Sequence, residues 1–234
     1  MRILFVRHGQ PDYATDTLTE MGKLQAEAVV PRLMGEGITE IYSSTMGRAK
    51  QTAEPFSKAT GIPVTRLDFM REIVWGTDSK EEEIAFGGHP WLFLPEYVKS
   101  GGSLMPWEWQ KEEAFRDNVK LHKSVERVIS GADAWLLELG FTREGEFYRV
   151  TGDNTDKTIA IFSHGGASTV LISHMLNIPL LSSFLVIRPY FTSVSVILLD
   201  GNKGDLTQAK VEILTDDRHV PRNADVGRID NKVD

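Results

Sequence analysis

Four side chains able to bind and attack a phosphate are spread over three segments of the chain: Arg7-His8-Gly9, Arg48 after Met46-Gly47, and Ser163-His164-Gly165. Two imidazoles and two guanidiniums meeting in one crevice would make a strongly electropositive pocket. A phosphate dianion is the natural guest, because guanidinium forks match its oxygens in pairs. Amides at helix starts after Gly47 and Gly165 would add aligned dipoles. A neutral imidazole nitrogen is a competent nucleophile towards phosphorus near pH 7. With the oxygens clamped, the remaining barrier is mostly positioning and charge stabilisation. The leaving alkoxide then needs a proton, which a carboxylic acid can supply if burial raises its pKa. Glu72 is the candidate donor, since Gly165 and Gly166 stand beside His164 where a neighbouring acid would otherwise be.

The elements around these residues are what would bring them together. Ile3 to Val6 reads as a buried parallel strand ending in Arg7-His8-Gly9, and Thr158 to Phe162 as a second one ending in Ser163-His164-Gly165-Gly166. A polar loop, Gln10 to Thr17, leads to a helix with Thr19, or Thr17 with Glu20, as its N-cap. That helix carries Met21, Leu24, Ala28 and Leu33 on one face, and Pro31 should weaken its last turn. Glu40 to Ser44 is a strand, Gly47 to Thr60 a helix interrupted by Pro55 and closed by Gly61, and Val64 to Leu67 a further strand. In an open α/β sheet, ligands bind beyond the carboxyl ends of the strands, where both histidines and Arg48 would lie.

From about 75 to 154 the texture changes to an insertion that carries Trp75, Trp91, Phe93, Trp107 and Trp109. Pro106 to Leu139 looks helical within it, with Gly131 or Gly140 as breaks, and Phe141 to Val150 resembles a hairpin turning near Gly145. Ala167 to Leu176 reads as helix, and Ser193 to Leu199 with Ala209 to Leu214 as a terminal hairpin. The fold expected is α/β, a three-layer sandwich with a mostly parallel sheet and helices on both faces. It forms a single domain over 1–220, with the insertion as a helical, aromatic-rich lid and 221–234 as a tail. Whether the aromatics glue the insertion to the sheet or form a water-excluding lid stays open.

Composition narrows the function. In 234 residues, 26 Lys+Arg against 33 Asp+Glu give a formal charge of −7, which disfavours a broad nucleic-acid or anionic-membrane surface. No apolar run approaches the ~20 residues of a membrane span, and Arg7 interrupts the opening apolar stretch too early for a signal-peptide core, so a cytoplasmic location is expected. The absence of Cys removes disulfides, thiolate zinc sites and cysteine-phosphatase chemistry. His89, His122 and His174 have no metal-ligand spacing and read as structural or exposed.

Taken together, Arg7-His8-Gly9, Leu18-Thr19 with Gly22 and Gln25-Ala26, Ser43-Ser44 with Arg48-Ala49 and Gln51-Thr52-Ala53, Arg71-Glu72, and Ser163-His164-Gly165 resemble the histidine phosphatase superfamily, in its phosphoglycerate-mutase-like branch. The resemblance covers about 2–76 and 157–220. It implies that His8 becomes phosphorylated, that Arg7, Arg48 and His164 bind the phosphoryl group, and that Glu72 is general acid and then base. It also implies no metal and no other cofactor. Gln10 replaces the Glu often found after Arg-His-Gly and carries over only as a phosphate or substrate contact, beside Gly165. Asp216-Asp217-Arg218-His219 resembles a closing segment of the family.

Plainer readings exist for each residue. His164 could be a loop histidine capping the next helix, Arg48 a solvated helix-start residue, and Glu72 a surface partner of Arg71, with Glu81, Glu82 and Glu83 as competing acids. Against these, Arg and Gly flanking His8 make little packing sense in an apolar strand. A cation at a helix start opposes the helix dipole unless an anion joins it. The expected activity is hydrolysis of a small phosphomonoester through a phosphohistidine. A phosphoglycerate mutase would use the same five residues, but the insertion lacks the Arg-Arg and Pro-rich segment associated with cofactor-dependent mutases. A non-catalytic phospho-ligand binder could dispense with His8 or Glu72, and both are present. Homodimerisation through the aromatic lid or the tail is the remaining partner expectation.

Overall fold

The computed structural model describes residues 1–77, 89–153 and 155–220. In chain order it contains β1 (Arg2–Arg7), β2 (Pro11–Asp12), β3 (Thr17–Leu18), α1 (Glu20–Met34), β4 (Glu40–Ser44), α2 (Gly47–Thr60) and β5 (Val64–Leu67). The insertion supplies α3 (Pro90–Lys99), α4 (Val119–Glu138), β6 (Phe141–Glu144) and β7 (Phe147–Val150). The chain then returns through β8 (Thr158–Ser163), α5 (Gly165–Leu176), α6 (Leu180–Val186), β9 (Val194–Leu198), β10 (Leu206–Thr207) and β11 (Lys210–Asp216).

The central sheet has six strands in the order β11-β9-β1-β8-β4-β5. Pairings are parallel from β1 through β8 and β4 to β5, and antiparallel where β9 meets β1 and β11. Alternation along the strands divides the core in two. Ile3, Phe5, Ile159, Ile161 and Ile197 point to one face, where they join Val125 and Val128 of α4, Leu171 of α5 and Phe184 of α6. Leu4, Val6, Ala160, Phe162 and Val196 point to the other, packing with Val29 and Leu33 of α1 and Phe56 of α2. A parallel strand buried on both faces has to be apolar throughout, which is why β1 and β8 stand out as continuous apolar runs. The result is the expected three-layer α/β arrangement.

Several local expectations are corrected. Pro31 and Pro55 both lie inside their helices without ending them. The buried face of α1 consists of Gly22, Gln25, Ala26, Val29 and Leu33, whereas Leu24 is exposed. The N-terminal part of that face, Gly22 and Gln25, packs on the loop after β1, where a small residue and a hydrogen-bonding glutamine suit better than leucine, while Val29 and Leu33 meet the sheet. The long helix of the insertion begins at Val119 rather than Pro106, because Trp109–Lys111 forms a separate 3-10 turn first. Gly131 does not break α4; a side chain there would meet Phe69 Cβ at 2.3 Å. The hairpin at Gly145 forms as expected, and β10 joins it to make a three-stranded sheet of order β10-β7-β6.

Two close backbone approaches set the loop after β1 against α1. A Cβ at Gly22 would lie 2.1 Å from the carbonyl oxygen of Gln10, and one at Gly9 would lie 2.5 Å from that of Gly22. Helix propensity alone would favour Gly22→Ala by about 1 kcal/mol, but a backbone clash of this depth forces a shift of the kind that costs roughly 1–3 kcal/mol. Urea unfolding should therefore show Gly22→Ala to be destabilised, while Gly35→Ala, with nothing within 4 Å of its added methyl, is not. Equal stabilities would contradict the packing argument.

Candidate active site

The strand register gathers the site. In the β1–β8 pair Arg7 stands opposite Ser163, so His8 and His164 leave the sheet side by side. In the β4–β8 pair Ser43 stands opposite Phe162, which brings Ser44 abreast of Ser163. The two imidazole rings lie 5.1 Å apart, edge to face at 62°.

His8 is held on all sides. Its backbone N–H donates to Ser163 O at 2.8 Å, and the next amide, Gly9 N–H, donates to Thr52 Oγ1 at 3.0 Å. Its Nδ1 lies 2.7 Å from Gly9 O, and its Nε2 lies 3.2 Å from Arg48 Nε. A carbonyl only accepts and a guanidinium only donates. Both partners therefore require the same tautomer, with the proton on Nδ1 and the lone pair on Nε2. Burial, reinforced by Arg7 and Arg48, pushes the His8 pKa well below the ordinary histidine value. Burial and then His8, Arg48 and Arg7 do the same to His164, whose Nε2 lies 2.8 Å from Ser44 Oγ.

The two arginines come from different elements, Arg7 from the end of β1 and Arg48 from α2. Arg48, in the first turn of α2, donates through Nη1 to Asp16 Oδ1 at 2.5 Å. Arg7 donates through Nη1 to Pro189 O at 2.7 Å, with its guanidinium carbon 4.4 Å from the centre of the Phe191 ring. Arg7 Nε and His164 Nδ1 are both buried without a hydrogen-bond partner. Buried polar groups left in this state need a ligand or a functional reason. Tyr13 is exposed, with its ring centre 5.5 Å from the guanidinium carbon of Arg48.

Glu72 turns inward. Its Oε1 accepts from Ala167 N–H at 2.9 Å and from Ile73 N–H at 3.0 Å, while its Oε2 has a longer approach of 3.4 Å from Gly166 N–H. It is therefore no surface partner of Arg71, which pairs with Asp68 at 3.1 Å. Glu81, Glu82 and Glu83 lie outside the described residues.

The helix starts differ from expectation. Asp16 Oδ2 accepts the Gly47 amide at 2.6 Å, and Glu72 accepts the Gly166 and Ala167 amides. Carboxylates of the chain thus take the dipole positions that the sequence reading assigned to the ligand. Asp16 also supplies the anion that makes a cation tolerable at the start of α2. Gly165 packs against Arg7, since a Cβ there would lie 3.5 Å from Arg7 Nε and equally close to Trp91 Cη2. Gln10 is tied to the N-cap of α1, its Oε1 accepting from Thr19 Oγ1 at 2.8 Å, so the side chain braces the loop.

Asp16, Tyr13, Ser44, Thr52 and Phe191 are the participants that sequence reasoning did not assign. Ser44 and Thr52 lay within recognised motifs without a role. Asp16 left only the trace that Asp tolerates its left-handed backbone, φ 52°.

The aromatics divide into two groups. Trp75, His89, Trp91 and Phe184 pack together beside Gly165, while Trp109 is buried against Phe115 and His122, and Trp107 is exposed. His122 Nε2 pairs with Phe115 O and His174 Nε2 with Asp133, in keeping with structural roles. His219 Nε2 sits 3.2 Å from Thr192 Oγ1, one residue from Phe191. Among the described residues no cluster of His, Asp and Glu is arranged to hold a metal ion, and no helix is long and apolar enough to cross a membrane.

The depressed histidines make a stability prediction. Unfolded histidine takes up a proton near pH 6.5, whereas His8 and His164 in the fold do so only at lower pH. Their contribution to stability is complete above pH 6.5 and is lost as pH falls through that value towards the folded pKa values. Unfolding free energies measured from pH 7 to pH 5 should fall less steeply in His8→Asn and in His164→Asn than in the parent chain. Parallel slopes would refute it.

Known proteins match in sequence and in fold. A probable phosphatase of Schizosaccharomyces pombe is 34% identical over 86 residues, which are 32% of this chain and 41% of that protein. A probable phosphoglycerate mutase of Photorhabdus laumondii is 32% identical over 85 residues, 32% of this chain and 40% of that one. These alignments span about two fifths of the relatives' own length. The phosphoserine phosphatase of Entamoeba histolytica, solved in complex with 3-phosphoglyceric acid, superposes with a TM-score of 0.63 at 18% identity, covering 94% of this chain and 99% of that one. It shares the fold. The family model for the histidine phosphatase superfamily, branch 1, matches residues 3–211, and the chain belongs to that superfamily.

Proposed function

We propose that the chain hydrolyses small phosphomonoesters by way of a phosphohistidine formed on His8. The observation that carries this reading is the hydrogen bonding of His8, which leaves the Nε2 lone pair directed at Arg48 Nε and the proton on Nδ1. On substrate binding Arg48 transfers its donors to a phosphoryl oxygen, and Arg7 Nε and His164 Nδ1 supply the donors that lack partners within the chain. The Nε2 lone pair then attacks phosphorus, and the bond from phosphorus to the leaving oxygen breaks. Gly9 O steadies the Nδ1–H of the cationic ring.

Glu72 delivers a proton to the leaving oxygen, and Oε2, which has the weaker amide contact, is the oxygen suited to the transfer. In the second half Glu72 takes a proton from water, the water oxygen bonds to phosphorus, and the N–P bond breaks to release inorganic phosphate. The probable phosphatase of Schizosaccharomyces pombe supports hydrolysis, and the phosphoserine phosphatase solved with 3-phosphoglyceric acid supports a small phosphorylated metabolite as substrate. Transfer to a substrate hydroxyl instead of water is the alternative that the mutase relative favours.

Incubation with p-nitrophenyl phosphate in the presence of EDTA should give turnover, and His8→Ala should lower kcat roughly 10³-fold or more. Acid-labile, alkali-stable phosphate should be recovered on His8 after rapid quenching. No hydrolysis over a panel of phosphomonoesters, with binding retained, would favour a phospho-ligand binder. Glu72→Gln should lower kcat for alkyl phosphates by about 10²–10⁴. With p-nitrophenyl phosphate, whose leaving group needs no proton, the same variant should show a burst of nitrophenol followed by slow turnover. A Glu72→Gln enzyme that keeps the parent steady-state rate with p-nitrophenyl phosphate would remove Glu72 from the water-activating step.

A further inference from the structure

We propose that Ser44 is a positioning residue that holds the proton of His164 on Nδ1, so that this imidazole presents an N–H donor to the phosphoryl group. The inference rests on the phosphatase reading above for its function, but the proton placement stands on the site's own geometry.

Ser44 closes β4 and is fully buried. Its Oγ accepts the Met46 amide at 3.2 Å and lies 2.8 Å from His164 Nε2. The neighbouring hydroxyl gives no competition, because Ser43 Oγ donates to the carbonyl of Ser44. Among the described residues, His164 Nε2 is the acceptor available to the Ser44 hydroxyl proton. If His164 instead carried its proton on Nε2, Ser44 Oγ would accept twice and its own hydrogen would be buried unpaired, an arrangement that costs about 1–3 kcal/mol.

The His164 ring is buried with the His8 ring 5.1 Å away, and burial followed by the charges of His8, Arg48 and Arg7 disfavours a second proton, so the ring stays neutral and carries one. With Ser44 donating to Nε2, that proton is on Nδ1, the atom that has no partner within the chain. The two histidines then hold opposite roles with one proton each. His8 offers a lone pair through Nε2, and His164 offers a donor through Nδ1. Without Ser44, the guanidiniums of Arg7 and Arg48 would draw the lone pair of His164 to Nδ1, and the donor would be lost.

The test uses the full chain labelled with ¹⁵N-histidine, with the His164 resonances assigned by comparison with His164→Gln. In the parent protein Nδ1 should carry the proton and Nε2 should be bare; in Ser44→Ala the proton should move to Nε2; in Ser44→Thr it should return to Nδ1. Affinity for vanadate should fall and kcat/KM for p-nitrophenyl phosphate should drop roughly 10²–10³-fold in Ser44→Ala, the scale of one lost donor to a developing oxyanion, and both should recover in Ser44→Thr. A parent protein with its proton on Nε2 overturns the proposal. So does a Ser44→Ala protein that loses activity while keeping the parent tautomer, since Ser44 would then act only in packing. Should Ser44→Ala fail to fold, the parent and Ser44→Thr spectra decide alone. A parent protein that turns over no phosphomonoester yet shows Nδ1–H shifting when vanadate is added would defeat the hydrolase reading and leave this one standing.

Discussion

The parallel pairing of β1 with β8 is the constraint from which the rest of the site follows. Chain order would place these strands far apart, but β8 returns to lie between β1 and β4. That insertion brings three strand ends to one rim. Because Arg7 registers with Ser163 and Ser43 with Phe162, the residues beyond them are forced into contact without any loop having to find them. A slip of one residue in β8 would turn Ile159 and Ile161 to the opposite layer. The apolar alternation that builds the two cores therefore also aligns the two histidines.

The same rim solves an electrostatic problem. Two buried guanidiniums and no anion would be costly to fold. The chain places Asp16 directly on Arg48; at Arg7 burial works against the charged form, and Glu72 offsets that only in part. Each carboxylate also takes helix-start amides, so its position is doubly specified. Arg7 Nε and His164 Nδ1 are the two polar atoms of this rim that remain buried without a partner.

Much of this was legible in the amino-acid order. The strands ending at Arg7 and Ser163 were visible because a strand buried on both faces must be apolar throughout, and the polar residues closing each run marked the rim. What could not be read depended on partners distant in sequence. The buried face of α1 was misjudged because its contact with the loop after β1 selects Gly22 and Gln25 for backbone approach and hydrogen bonding, which hydrophobic spacing does not register. Asp16 gave no signal because its importance lies in where Arg48 and Gly47 come to rest. The carboxylate of Glu72 rests on the first turn of α5 and not on Arg71, and that anchoring has no local trace in the sequence.

The small sheet β10-β7-β6 carries a mechanical implication. The base of the inserted segment is laced to the stretch between β9 and β11 by the β7–β10 ladder and by Val150 N–H to Asp205 O at 2.9 Å. Swinging the whole insertion as a rigid flap would tear these backbone bonds. The hairpin β6–β7 and the stretch that carries β10 therefore move together or not at all.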